Sequence, residues 1–373
     1  MKIAIHNHHL QPWFEYHAYI KELIKQKEVS GVYISDRNPK NFLKLVKNKR
    51  LAPFFSEAKT NNLEIIFDIK RLNAEYDVLI DVNFFCNDFV SSLPNILKKF
   101  DGVKLFHIGD YFGYHSSEKM HSYLRKLNVT ALLGYCMHDR HCKFFREYFP
   151  YYSGKVWGVP FGYSERFKKY IDFKNRKDMA ISLGSLNHLS NKNFKNNMFF
   201  EALSFFSDEA WFHRFREKLF SNRSQISEFV HCGIPDPFSE NNQRLDLVEA
   251  FNNYKFFVTC ESIFNFPTAK VFEGTAAGSI LLASNHSVYD ELGFKDQQNC
   301  ILFEHENLND LIYRIRSHLA HDEAGLEEIA KKSHEFTLRN FNSLKISQFI
   351  IYICKQLLKD SNSNPLPYSD YII

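Results

Sequence analysis

No apolar run in the chain approaches the ~20 residues that cross a bilayer; the longest, Phe349 to Cys354, has six. The N-terminus, MKIAIHNHHL, lacks the apolar stretch and small-residue cleavage site of a secretory signal. Seven cysteines, at 86, 136, 142, 232, 260, 300 and 354, show no paired spacing, which predicts free thiols in a reducing cytosol. Charge of one sign is scarce too: Lys+Arg 47 against Asp+Glu 43 leaves +4, too little for a nucleic-acid face. Internal repeats and low-complexity segments are absent. The expectation is a cytoplasmic protein, with peripheral contact at the inner membrane face left open.

What is there is apolar material for two cores. The 373 residues are 45% hydrophobic, 24% charged and 16% aromatic, with 38 Phe; these values exclude a disordered chain. The length suggests two domains. Short β-rich runs alternate with helical-period segments, the pattern of parallel sheets covered by helices. Strands are expected at Lys2–His6, Gly31–Ser35, Leu63–Ile69, Asp77–Val82, Val103–Ile108, Val129–Tyr135 and Val156–Val159, with helices at Phe89–Lys99, Glu118–Leu127 and His138–Tyr148. The basic, aperiodic stretch 165–177 reads as a linker. Strands then resume at Met179–Leu183, Phe229–Cys232, Lys255–Cys260, Ser279–Ala283 and Cys300–Phe303. The helices expected among them are Lys195–Phe206, Glu209–Leu219, Arg244–Asn253, Thr268–Ala277 and Leu308–His318, followed by Gly325–Leu338 and Leu344–Leu357. The expected domains are 1–164 and 178–342, with 343–373 a helix crossing back and an irregular tail. Both domains should aim strand-end loops into a cleft.

The segment Phe256–Asn285 is the most informative. A strand ends near Cys260, a loop carries Glu261, and a helix opens at Thr268-Ala269-Lys270 and closes at Gly278. Lys270 suits a phosphate and Glu273, one turn on, suits a ribose diol; Gly278 reads as a C-cap. An ordinary α/β unit with a solvated Lys270 and a surface Glu273 accounts for the same pattern. The turn Gly184-Ser185 after the strand at Met179–Leu183 is a second candidate for phosphate contact.

The stretch PTAKVFEGTAAGSILLAS, then YDELGF and the run from NCILFEHENLNDLIYRIRSHL to HEFTLRNFN, resembles the C-terminal domain of group-1-like glycosyltransferases of the spore-coat-type branch. The likeness spans roughly residues 240–345; VPFGYSERF resembles that family's interdomain junction, and the first half matches in architecture alone. It implies a GT-B fold, two Rossmann-like αβα domains facing each other across a cleft. It also implies a nucleotide-diphosphate sugar as donor, retention of configuration, and no metal or other cofactor. Glu273 would hold the donor ribose. Eleven residues separate Glu261 from Glu273, where the family spaces two Glu by seven. Glu261, Thr268, Ala269 and Lys270 also resemble the donor motif of α-1,3-fucosyltransferases.

In the first half, Asn7, His8 and His9 follow the first strand and are expected on the acceptor side; no carboxylate or further His completes a metal set with them. His107 and Asp110 follow the strand at Val103–Ile108 and are the candidate catalytic residues, as a base for the acceptor hydroxyl. A buried packing His and an Asx turn explain them equally. CMHDRHC (136–142) reads as a cleft wall and helix start rather than a zinc site. WFHRFREKLF (211–220) could rest on anionic lipid but reads better as a core-packing helix.

The expectation is a glycosyltransferase acting on a glycan, lipid-linked or other acceptor in surface polysaccharide or glycoconjugate synthesis. A CDP-linked polyol-phosphate transferase and a non-catalytic nucleotide-sugar or glycan binder of the same fold remain open.

Overall fold

The computed structural model of the chain describes residues 1–6, 19–33, 59–82, 97–108, 124–150, 152–186, 211–234, 245–321 and 323–372. The chain divides into two compact units: Met1–Pro160 with Ser343–Pro367, and Phe161–Asn196 and Leu203–Asn342 with Tyr368–Ile373.

In the first unit, β1 (Ile3–His6), α1 (Tyr19–Leu23), β2 (Val29–Tyr33), β3 (Glu64–Ile66), α2 (Ile69–Glu75), β4 (Val78–Asp81) and β5 (Val103–His107) are followed by β6 (Ala131–Gly134), α3 (His138–His141), α4 (Phe145–Tyr148) and β7 (Lys155–Gly158). The strands are short aliphatic runs with no polar face: Ile3, Ala4, Ile5, Val78, Leu79, Leu105 and Leu132 are fully buried. Burial on both sides is what a parallel sheet under helices requires. All pairings are parallel, in the order β3-β2-β1-β4-β5-β6-β7.

The second unit runs β8 (Lys177–Leu183), α5 (Arg214–Ser221), β9 (Val230–Gly233), α6 (Leu247–Asn253), β10 (Tyr254–Val258), α7 (Lys270–Ala276), β11 (Ile280–Ser284), α8 (Ser287–Glu291), β12 (Ile301–Phe303), α9 (Leu308–His321) and α10 (Glu323–Asn340). Its parallel sheet has the order β12-β11-β10-β8-β9. Phe215 and Leu219 of α5 and Leu311 and Ile315 of α9 share one core with strand residues Phe256, Ile280 and Ile301. Helix α11 (Ser343–Lys359) packs in the first unit on α1 and β5, and its Phe349 ring lies 6.5 Å from Trp157. Helix α12 (Tyr368–Ile372) belongs to the second unit.

Several expected elements change. The strand placed at Leu63–Ile69 stops at Ile66, because the Asp68 carboxylate accepts from the Lys70 amide and caps α2. The segment His138–Tyr148 is two short helices separated by an extended Cys142. The tail is helical at Tyr368–Ile372, held by the buried Tyr368 hydroxyl donating to the Asn340 carbonyl. Helix α8, capped by the His286 ring accepting from the Val288 amide, was not expected. Helices expected at Lys195–Phe206 and over most of Phe89–Lys99 and Glu118–Leu127 lie outside the described residues.

The stretch 165–177 falls within the second unit. Phe167 and Phe173 are buried, and Arg176 is 4% exposed. The Arg176 guanidinium donates to the carbonyls of Ile171 (3.0 Å), Phe251 (3.1 Å) and Ala277 (2.8 Å), the last two at the ends of α6 and α7. Burial lowers its pKa to about 10, still a cation at neutral pH and well placed against two helix C-termini.

Candidate functional site

Each parallel sheet has one place where the chain's winding reverses, and ligands in open α/β sheets gather beyond the strand ends there. In the first unit that place lies between β1 and β4, in the second between β8 and β10.

The second unit's reversal point gathers charge. At the end of β8, Gly184 has φ +126°, a conformation strained for any L side chain; a Cβ there would also lie 2.7 Å from Arg216 Cζ. Arg216 donates through Nη1 to the Ser185 carbonyl at 2.8 Å. It is 4% exposed and has no carboxylate partner among the described residues. Burial lowers its pKa, partly offset by Cys260. Lys270, the first residue of α7, is partly exposed and makes no hydrogen bond or ion pair among the described residues. Burial first, and the nearby Arg216 second, pull its ammonium down to about 8.

Glu273 stands one turn further along α7. Its residue is 6% exposed, and no hydrogen bond reaches its carboxylate among the described residues. Burial raises its carboxyl above the usual range against the pull of Lys270 and Arg166. The helix is closed by Gly278 at φ +81°, whose amide donates to Thr275 while the Ser279 amide donates to Gly274. These two bonds make Gly278 the left-handed C-cap that the sequence suggests. The helix begins later than expected, with Ala269 rather than Thr268 at the cap. Thr268 instead pairs its hydroxyl with Thr259 at 2.8 Å, closing the loop after β10.

Glu261 does not join this group. Its carboxylate accepts from the Ser284 hydroxyl at 2.9 Å and lies 3.9 Å from His305 Nδ1. Its carbonyl oxygen accepts from His213 Nδ1 at 3.3 Å. Burial, then Arg216, hold the His213 pKa well below the ordinary value, so that ring is neutral.

Arg216 is a candidate that sequence reasoning passed over, within the segment WFHRFREKLF read as a core-packing helix. The helix expected at Glu209–Leu219 starts at Arg214, which turns Phe215, Arg216 and Leu219 inward together. The available signal was a cation at a position of the apolar stripe. Arg214 pairs with Glu306 at 3.0 Å, and Lys218 donates to the Glu306 carbonyl at 3.0 Å.

In the first unit the reversal point holds His6 and Asp81, register partners on β1 and β4, with Nδ1 2.8 Å from Oδ2 and both side chains buried. His107 ends β5, buried, its ring 5.2 Å from that of Tyr135. Asn7, His8, His9 and Asp110 lie outside the described residues. His138 of CMHDRHC is a buried structural ring whose Nε2 accepts from the Tyr135 amide at 3.1 Å. No group of three or more metal-ligating side chains occurs among the described residues.

Two Rossmann-like units with these sheet orders make up the GT-B fold of glycosyltransferases. Residues 213–351 match the family model described as "Glycosyl transferase-like". That segment holds Arg216, Glu261, Lys270 and Glu273. Sucrose-phosphate synthase from Thermosynechococcus elongatus is similar at TM-score 0.56 and 14% identity, over 96% of this chain and 99% of that one. HepE from Anabaena in complex with UDP and glucose is similar at TM-score 0.52 and 11% identity, over 95% and 99%. A glycosyltransferase from Rickettsia africae is similar at TM-score 0.51 and 12% identity, over 96% and 99%. At these identities the likeness is one of fold. No curated protein matches the chain by sequence.

Proposed function

We propose that the chain is a glycosyltransferase that binds a nucleotide-diphosphate sugar on its second unit and passes the sugar to a glycan or lipid-linked acceptor. One observation carries the reading: among the described residues, Arg216 and Lys270 make no ion pair and the buried Glu273 carboxylate accepts no hydrogen bond, and all three lie at the sheet's reversal point. The matched family supports it. A diphosphate supplies the missing negative charge, and a ribose diol supplies the two donors that the Glu273 carboxylate lacks.

Glycosyl transfer breaks the bond between the anomeric carbon and the diphosphate, so charge develops on the departing oxygen. Arg216 and Lys270 are already in place to receive it, fixed by Ser185 and by α7; such preorganised charge lowers the barrier without reorganisation. Gly184 lets the backbone pass close beneath Arg216. We assign the acceptor-hydroxyl proton to His107 or Asp110, and acceptor contacts to Asn7, His8 and His9. Because two side-chain cations meet the leaving group, turnover needs no divalent metal and persists in EDTA. UDP-glucose is the first donor to try, since HepE is described in complex with UDP-glucose.

The test is a panel of nucleotide sugars scored by thermal shift and then by nucleotide release. A donor at ~100 times its Kd should stabilise the protein by about 2.7 kcal/mol. Glu273→Ala should abolish that stabilisation while the unliganded protein melts as before. Absence of stabilisation by every UDP-, GDP-, ADP-, TDP- and CDP-sugar would sink the reading. Tight binding without nucleotide release in the presence of acceptors would leave a binder in place of an enzyme.

A further inference from the structure

The stretch 165–177 has six Lys/Arg against two Asp/Glu. Arg176 is buried and Lys177 lies over the Tyr254 ring. The remaining four, Arg166, Lys168, Lys169 and Lys174, are exposed. None of them is ion-paired among the described residues; Arg166 rests on the Phe167 ring at 4.8 Å. The two carboxylates of the stretch, Glu165 and Asp172, are exposed as well. Among the four cations sits Tyr170, 59% exposed.

An exposed segment this polar would ordinarily be free to collapse onto neighbouring carboxylates, but its backbone is pinned. The Asn252 side chain accepts from the Tyr170 amide at 2.9 Å and donates to the Lys168 carbonyl at 3.0 Å. Arg176 donates to the Ile171 carbonyl, and Phe167 and Phe173 are buried beneath. With the Tyr170 and Ile171 amides occupied by Asn252, the segment offers no nest of backbone donors for a small anion. What it presents is exposed Lys168, Lys169 and Lys174 flanking the exposed Tyr170 along the chain, while Arg166 lies within electrostatic reach of Glu273. That display matches an extended anionic surface, and a tyrosine among lysines suits the headgroup layer of a bilayer.

From this arrangement we infer that residues 168–174 dock the protein on an anionic lipid bilayer. Helix α5, the segment whose sequence suggested lipid contact, is a poorer candidate. Its Arg214 and Lys218 are engaged by Glu306, and its Arg216 is buried. No described helix is long and apolar enough to cross a membrane, so the contact is peripheral and depends on charge. It should weaken as salt is raised.

Co-sedimentation of the full chain with vesicles tests the inference. Phosphatidylglycerol–phosphatidylcholine vesicles should retain the protein at low salt, and pure phosphatidylcholine should not. Lys168→Glu with Lys174→Glu should reduce retention at least tenfold, at about fivefold per cation lost, with unchanged melting temperature and nucleotide-sugar stabilisation. Tyr170→Ala should reduce it severalfold, whereas Arg214→Gln with Lys218→Gln should leave it intact. Equal retention on both vesicle types, or full retention by the Lys168/Lys174 variant, overturns the inference. So does a soluble polyanion that binds as well as the vesicles and is indifferent to Tyr170→Ala, which would assign the surface to an anionic polymer.

Discussion

The two sheet reversal points occupy equivalent places in their units, yet they treat charge in opposite ways. Between β1 and β4, His6 and Asp81 satisfy each other at 2.8 Å with both side chains buried. Between β8 and β10, two cations have no carboxylate ion-pair partner and Glu273 is held without a hydrogen bond, among the described residues. A buried charge without a partner costs stability, so the second arrangement is one that folding alone would not favour. Its unmet charge is complementary to an anion with hydroxyl donors. The first arrangement has its charge balanced internally, and its pairing supports the sheet.

Three measurements can break or sharpen this contrast. The largest effect should come from Arg216→Met. Nucleotide-sugar affinity should fall about 100-fold, the usual scale for removing one partner of a desolvated charge pair. The unliganded protein should be no less stable, because an uncompensated buried cation is replaced by an apolar side chain of similar length. A large loss of stability would mean that Arg216 holds the fold through Ser185, and titration calorimetry beside urea unfolding separates the two outcomes.

Asp81→Asn should do the reverse. It should cost about 1–2 kcal/mol in urea unfolding, through the weakened bond to His6, and leave donor affinity within about twofold. Loss of donor affinity without loss of stability would make the first reversal point a ligand site as well, erasing the contrast.

The smallest effect is one of pH. With the Lys270 ammonium lowered to about 8, anion affinity should fall roughly fourfold between about pH 7 and 8.5, following the charged fraction. Stability should move the other way. An unfolded lysine keeps its proton up to its ordinary pKa of 10.5, so between about 8 and 10.5 the unfolded chain binds more protons than the folded one. This group therefore makes folding more favourable as pH rises through that window. Lys270→Met should flatten both trends; an affinity that still declines above pH 8 in that variant would point to another titrating group.

Much of the layout was readable from residues alone. Short aliphatic runs alternating with helical-period segments fit a parallel sheet buried under helices, so most strands emerged within a few residues. Helix α7 was readable because its stop signal is local: Gly278 adopts a conformation that other residues resist. Boundaries failed where one side chain decided them, as Asp68 did for α2 and the Thr259–Thr268 pair did for the start of α7. The stretch 165–177 read as a linker because it lacks periodicity; its attachment runs through Asn252 and Arg176 to carbonyls up to 101 residues away.

For the site, the sequence by itself determined the local chemistry: a lysine and a glutamate one turn apart on a short helix, and a glycine after a strand. The tertiary structure alone decided which charges share a place. Arg216 meets Ser185 across 31 positions of chain and comes near Lys270 because α5 and α7 flank strands adjacent in space. Glu261, whose spacing from Glu273 departs from the family's, accepts from the Ser284 hydroxyl of the neighbouring strand. Electrostatic energy depends on distance through space and on the surrounding dielectric. Neither quantity is written in residue order until the sheet has brought distant segments side by side.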